Sequence, residues 1–331
     1  MVYSHFITVK IAKASKPMNF DSINEQLIDR QNDRPIISYD NNESPYTNGG
    51  DLPLFITSPT DLGVCRNGGR RGAAFGASAI LNCFSKLNIH HDRMKHVLSS
   101  QVSFINQELE DFENAQKISA RTIEKELKRS NQIIHLGGGH DHIYPLLCAI
   151  DEKTNKDKII VINIDAHLDT RTDELAHSGT PFRQFSKYTK KNFELYQLGI
   201  HPFANSISTN QNLENGFMLN ITADRLRELT NGFTHSYNPF KSLNIDTNNS
   251  EVIISLDADG LDSSFMSGVS AVNHNGLPLH FVRDLIEHYK FLNLEKKYFG
   301  VYEYNPIYDD LSQKGARAIT YLIDSFLNTL H

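Results

Sequence analysis

The stretch Lys158-Ile159-Ile160-Val161-Ile162-Asn163-Ile164-Asp165-Ala166-His167-Leu168-Asp169 decides how this chain folds. Its first seven residues form a short β-branched run with almost no polar alternation, the pattern of a strand buried on both faces of a parallel sheet. The last five change character at once, with Asp, His and Asp recurring at every second position. Side chains alternate along a strand, so an extended backbone would turn all three toward one side. In open parallel sheets, ligand-binding groups gather just beyond the carboxyl ends of the strands, which is where these lie.

The same device recurs on either side. Residues 132–136 run into Gly137-Gly138-Gly139-His140-Asp141, and residues 251–256 into Asp257-Ala258-Asp259-Gly260-Leu261-Asp262. The glycines let the backbone turn sharply and bring His140 close to a neighbouring strand end. Two imidazoles and four or five carboxylates on one rim would repel one another unless cations held them. Carboxylate-rich ligation with a minority of imidazole suits divalent ions taking five or six ligands; Mn2+ fits best, with Fe2+, Co2+ or Zn2+ as other occupants. Cysteine is absent from the clusters, which disfavours structural zinc. The candidate ligands His140, Asp165, His167, Asp169, Asp257 and Asp259 are too many for one ion that must also hold a reactive water. Two ions sharing bridging carboxylates use them all, and at a spacing of about 3.5 Å they jointly lower the pKa of water. A turn or cap residue would explain any one cluster, but not three at strand ends.

Composition narrows the field. The 331 residues are 39% hydrophobic and 22% charged, as in an ordinary globular protein. A net charge of −6 argues against a nucleic-acid binder. No apolar run approaches the roughly 18 residues of a membrane span, and the start carries no secretory pattern. Cys65, Cys83 and Cys148 lack disulfide or metal-type spacing and read as reduced thiols of a cytoplasmic protein.

Residues 1–50 are expected to form a polar arm outside the sheet, covering it or packing on a second copy of the chain. Residues 51–331 are expected to form a single catalytic domain. Strands are expected at 52–57, 132–136, 158–164, 193–198, 251–256 and 298–302. Helices are expected at 75–86, 104–129, after His142, and at 213–229, 281–290 and 315–330, with a polar loop at 233–250. Strands alternating with helices imply right-handed crossovers and one doubly wound α/β sheet.

The three clusters, with Glu303-Tyr304-Asn305-Pro306 and Asp309, resemble the signatures of the ureohydrolase superfamily (arginases, agmatinases and formimidoylglutamases) in order and spacing from about residue 52 onward. The resemblance implies a three-layer α-β-α sandwich with a mainly parallel eight-stranded sheet and a binuclear Mn2+ centre. It assigns His140 and Asp169 to one ion, His167 and Asp259 to the other, and Asp165 and Asp257 to both. Asp165 would thereby help hold the attacking hydroxide, and Glu303 would sit beside the amidine or guanidine nitrogens of a small-molecule substrate. A carboxylate orients and stabilises such a planar cation.

Three segments resemble the formimidoylglutamase branch: Gly139, where arginases and agmatinases usually carry Asp; the loop Arg66-Asn67-Gly68-Gly69-Arg70-Arg71-Gly72-Ala73; and His177-Ser178-Gly179-Thr180-Pro181-Phe182 with Gly268-Val269-Ser270-Ala271. Arg171 follows Asp169 by two residues, where arginases carry a neutral Asn, and a guanidinium there suits a carboxylate. Asn67, Arg70, Ser178 and Thr180 are the other expected substrate contacts. Ser178 stands at the position of the arginase proton-shuttle histidine; His177, one residue earlier, is expected to protonate the leaving amine if it faces the metals. Asp259-Gly260-Leu261-Asp262 departs toward the arginase and agmatinase form. These features lead to the expectation of an amidine hydrolase acting on N-formimidoyl-L-glutamate. The alternatives are a ureohydrolase acting on a guanidino compound and a non-catalytic metal-binding protein.

Overall fold

The computed structural model describes residues 33–39, 52–102 and 111–328. Nine strands form one sheet: β1 (Ile36–Tyr39), β2 (Leu54–Ser58), β3 (His96–Gln101), β4 (Gln132–Gly137), β5 (Lys158–Ile164), β6 (Asn192–Ile200), β7 (Phe217–Thr222), β8 (Ser250–Asp257) and β9 (Lys297–Tyr302). Their order is β1-β3-β2-β4-β9-β8-β5-β6-β7, and every neighbouring pair is parallel.

Strand β5 shows why the sheet is sandwiched. Ile160, Ile162 and Ile164 enter one apolar cluster and Ile159 and Val161 the other, all fully buried. The period of two thus feeds two cores, and each buried Ile contributes roughly 1.5–3 kcal/mol. One core is covered by α2 (Gly76–Phe84), α8 (Leu279–Lys290) and α9 (Lys314–Leu327). The other is covered by α3 (Phe112–Glu126), α4 (Ile143–Lys153) and α5 (Pro181–Tyr188). The short helices α1 (Leu62–Arg66), α6 (Ala223–Leu229) and α7 (Pro239–Ser242) complete the described set.

The sheet has one strand more than the expected eight. The extra edge comes from within the N-terminal arm, where Ile36–Tyr39 pairs with β3; most of the arm lies outside the described residues, as does the start of the helix expected at 104–129. The helix expected at 213–229 is also corrected. Its first half is β7, paired with β6, and helix begins only at Ala223. Gly216, at φ +130°, turns the chain into the strand, and the Thr222 hydroxyl accepts from Arg225 N to cap the helix. The polar loop at 233–250 contains α7, capped by Asn238.

Candidate metal centre

The clusters come from four adjacent strands in the middle of the sheet, β4, β9, β8 and β5. His140 follows β4, Glu303 follows β9, Asp257 ends β8 with Asp259 in the turn beyond, and Asp165, His167 and Asp169 follow β5. Close packing dictates the glycines before His140. A Cβ on Gly138 would lie 1.9 Å from the Thr60 carbonyl oxygen, and one on Gly139 would lie 2.3 Å from Asp141 Oδ1. The Asp141 carboxylate therefore fills the space next to position 139, and a side chain at both positions would collide.

His140 Nδ1 faces Asp169 Oδ2 at 2.8 Å and Asp165 Oδ2 and Asp257 Oδ2 at 3.2 Å each. His167 Nδ1 lies 3.1 Å from Asp259 Oδ2 and 3.7 Å from Asp165 Oδ1. Two overlapping groups result, His140 with Asp165, Asp169 and Asp257, and His167 with Asp165 and Asp259, each compact enough to hold a cation. Asp165 belongs to both. His140 is held from behind: its Nε2 bonds Ser255 Oγ at 2.9 Å and its ring stacks on Tyr302 at 4.9 Å. Tyr302 OH in turn bonds His135 Nδ1, whose Nε2 bonds Ser58 Oγ, both at 2.9 Å. Asn163 donates to Asp165 Oδ2 and to Gln197 Oε1, fixing that carboxylate from below. Outer partners of this kind orient metal ligands.

The fit to cations rests on atoms left unsatisfied. His140 Nδ1 is buried and makes no hydrogen bond despite its three carboxylate neighbours, and Asp259 Oδ1 is likewise buried without a partner. The electrostatics agree. Burial, then the charges of Asp259 and Asp165, push the Asp257 carboxyl far above its ordinary range. Burial works against charging His140, but the carboxylates of Asp165, Asp169 and Asp257 close to its ring outweigh it and raise its pKa well above normal. Glu303, buried, accepts the His140 N–H at 3.0 Å; burial and the neighbouring Asp259, Asp169 and Asp141 push its carboxyl up to about 8. Such a pile of negative charge calls for positive charge at its centre. Asp169 (φ 51°) and Glu303 (φ 62°) also hold left-handed backbone without being glycine, a strain that clusters at functional sites.

Above the centre lies a cavity of about 740 Å3 lined by His167, Asp169, Asp257, Asp259 and Glu303 at its floor. Three of the expected substrate contacts share one wall: Arg171 Nη1 donates to Asn67 Oδ1 at 3.0 Å, and Asn67 Nδ2 to Ser178 Oγ at 3.1 Å. The structure does not bring the others there. Arg70 stacks over the Tyr308 ring at 4.8 Å, off the cavity wall. Thr180 is buried in its turn, its hydroxyl accepting from His177 N. Both ring nitrogens of His177 are engaged, Nδ1 with Gly179 N and Nε2 with Asp173 Oδ2 at 2.7 Å, so it braces the 177–180 turn and does not line the cavity. Asp262, at the end of the third cluster, caps the turn at Ser264. Sequence reasoning missed a second part of the lining, Phe203 to Ser206 with Ser208 and Thr209. No motif marked it; the only signal was a polar loop after a buried strand.

Fold and centre together define an α/β protein with a carboxylate–histidine cation site over the middle of a parallel sheet. The arginase family model matches residues 54–328, and the chain belongs to that family of hydrolases acting on C–N bonds. It is 29% identical over 287 residues to a formimidoylglutamase of Staphylococcus carnosus, a match covering 81% of this chain and 83% of the relative. It superposes on the formimidoylglutamase of Bacillus subtilis with a TM-score of 0.71 at 20% identity, covering 88% of this chain and 89% of the other. A Trypanosoma cruzi formiminoglutamase structure with Mn2+2 gives 0.67 at 22% identity, covering 86% and 95%. Among the described residues, no helix is long and apolar enough to cross a membrane.

Proposed function

We propose that the protein hydrolyses N-formimidoyl-L-glutamate with water to L-glutamate and formamide, using two Mn2+ ions. His140 and Asp169 would hold one ion, His167 and Asp259 the other, and Asp165 and Asp257 would serve both. When bound, the ions supply Lewis acidity that makes hydroxide available near neutral pH. The chain's own residues do the rest. Glu303 accepts hydrogen bonds from the formimidoyl nitrogens and favours the cationic amidine over neutral competitors. Arg171, held by Asn67, pairs with a substrate carboxylate and sets the distance from that anchor to the floor. Ser178 completes the same wall. Water adds across the formimidoyl C=N bond, oxygen to carbon and one proton to the imino nitrogen. The bond from that carbon to the glutamate nitrogen then breaks as the remaining hydroxyl proton passes to that nitrogen, giving formamide and L-glutamate.

The observation that carries this reading is the Arg171–Asn67–Ser178 wall beside the cation site. A guanidinium at that place favours an acidic substrate over agmatine, which has no carboxylate. Relatedness to formimidoylglutamases supports the same choice. The three free thiols suit a reducing, cytoplasmic compartment. A panel of formimidoylglutamate, arginine, agmatine and guanidinobutyrate with Mn2+, scored for formamide and urea separately, tests it. Formamide release should dominate; dominant urea release from arginine refutes the substrate.

A further inference from the structure

The stretch after β5, which carries His167 together with Asp165 and Asp169, stands on irregular backbone. After Ile164 the chain leaves the strand, and Asp169 adopts a left-handed conformation. Backbone groups in such a stretch need partners outside a ladder. One side chain from another loop supplies several of them. Asn205 Oδ1 accepts the Leu168 N–H at 2.8 Å, and its Nδ2 donates to the Ala166 carbonyl at 3.0 Å and the His201 carbonyl at 2.9 Å. The amide therefore spans the residues on either side of His167 and ties them to the end of β6. The Ala166 carbonyl also receives the His201 N–H at 3.0 Å. Further along, Thr170 Oγ1 donates to the Thr209 carbonyl, while the buried Arg183 donates to the carbonyls of Thr170, Gln211 and Asn212.

The His140 ring has no such dependence, because it is fixed by Ser255 and Tyr302 on strands of the sheet. His167, at 30% side-chain exposure, instead takes its position from the backbone that carries it. We infer that Asn205 is a positioning residue for the His167–Asp259 side of the centre, acting through the backbone of Ala166 and Leu168. All of its hydrogen bonds go to backbone groups. Since Asn205 lies on the loop that forms the cavity's second wall, the same amide couples that wall to the cation site.

The inference rests on the two-ion reading, and the test separates their failures. Mn2+ binding to the metal-free protein is measured by the EPR signal of free Mn2+, for wild type, Asn205→Ala, Asn205→Asp and Asp259→Ala. Fewer than two ions bound by wild type would refute the two-ion reading itself. With two bound, Asn205→Ala should weaken one class of site about 10- to 100-fold and spare the other, matching the class lost in Asp259→Ala. Asn205→Asp keeps an acceptor for Leu168 N but loses both donated bonds, so an intermediate loss is expected. Unchanged affinities, or equal weakening of both classes, overturn the inference. Should Asn205→Ala misfold by circular dichroism, Asn205→Asp carries the test alone, and wild-type affinities in it are the overturning result.

Discussion

The floor and the walls of the cavity are made in different ways. The floor is a set of strand ends: His140, Asp165, Asp257 and Glu303 are all buried, and they follow four adjacent strands. The walls are loops, with Asn67 and Arg171 facing each other across 104 positions of sequence and Ser178 completing the chain. Parallel strands hold the floor to a common register, so a cation site there is rigid whatever substrate enters. In the first wall single hydrogen bonds join the Asn67, Arg171 and Ser178 side chains, which can change without disturbing the chemistry below, whereas Asn205 ties the 203–209 loop to the backbone around His167. The difference assigns reaction to the floor and selection to the walls.

That division can be broken from the floor. Asp259→Ala should lose one equivalent of Mn2+ and about a thousandfold or more of turnover on every substrate. Metal analysis showing two ions still bound would remove Asp259 from the ligand set. Glu303→Gln should lower turnover about a hundredfold with metal content intact, since it removes a charge that faces the substrate cation; a loss of metal in this variant would move Glu303 from substrate contact to metal retention.

From the wall, Arg171→Ala should raise KM about tenfold for formimidoylglutamate and leave agmatine little changed, as expected for one hydrogen bond between charged groups. Equal changes for both would make Arg171 a structural brace.

The smallest effect on turnover lies beneath the floor. Burial, with the nearby charge of His142, holds the His135 imidazole neutral, its pKa lowered to about 3. The unfolded chain takes up a proton near 6.5, so the folded state is fully favoured above that pH. Stability is then lost as pH falls from 6.5 toward 3, by an amount on the order of a few kcal/mol. Urea unfolding of the metal-free protein across this window, compared with His135→Gln, checks the sign. The variant should show a flatter pH dependence, and parallel curves would exclude His135 as the source.

How much was legible in the sequence follows the same line. The floor could be read because each part is local: a buried strand pattern, then chemistry-bearing residues within five positions of its end. Strand β5 matches its expected bounds, and all six candidate ligands converge. The walls could be read only in part, through Asn67, Arg171 and Ser178, because their residues meet only in three dimensions. Arg70 and Arg71 looked alike in the glycine-rich loop, yet Arg70 turns to Tyr308 and Arg71 to Cys65. His177 looked available for proton transfer, but Asp173, four residues earlier, engages it. At the sheet edges the apolar pattern weakens: β1 and β7 are partly exposed, and a half-exposed strand such as Phe217–Thr222 reads as easily as a helix face.

The position of β9 has a consequence for how the protein acquires its chemistry during synthesis. This strand, the last of the nine, sits between β4 and β8, and Glu303 follows it directly. A growing chain that has emerged through β5 already carries His140, Asp165, His167 and Asp169, but β4 and β5 do not touch in the finished sheet. The gap between them closes only when two strands from the last third of the chain are inserted. Closing loops of such length is entropically costly and slow. His140 after β4 is therefore kept apart from the groups after β5 until β9 has been made, and the centre forms only once that strand is inserted. Truncation anywhere before Lys297 would leave the ligands on two separate half-sheets.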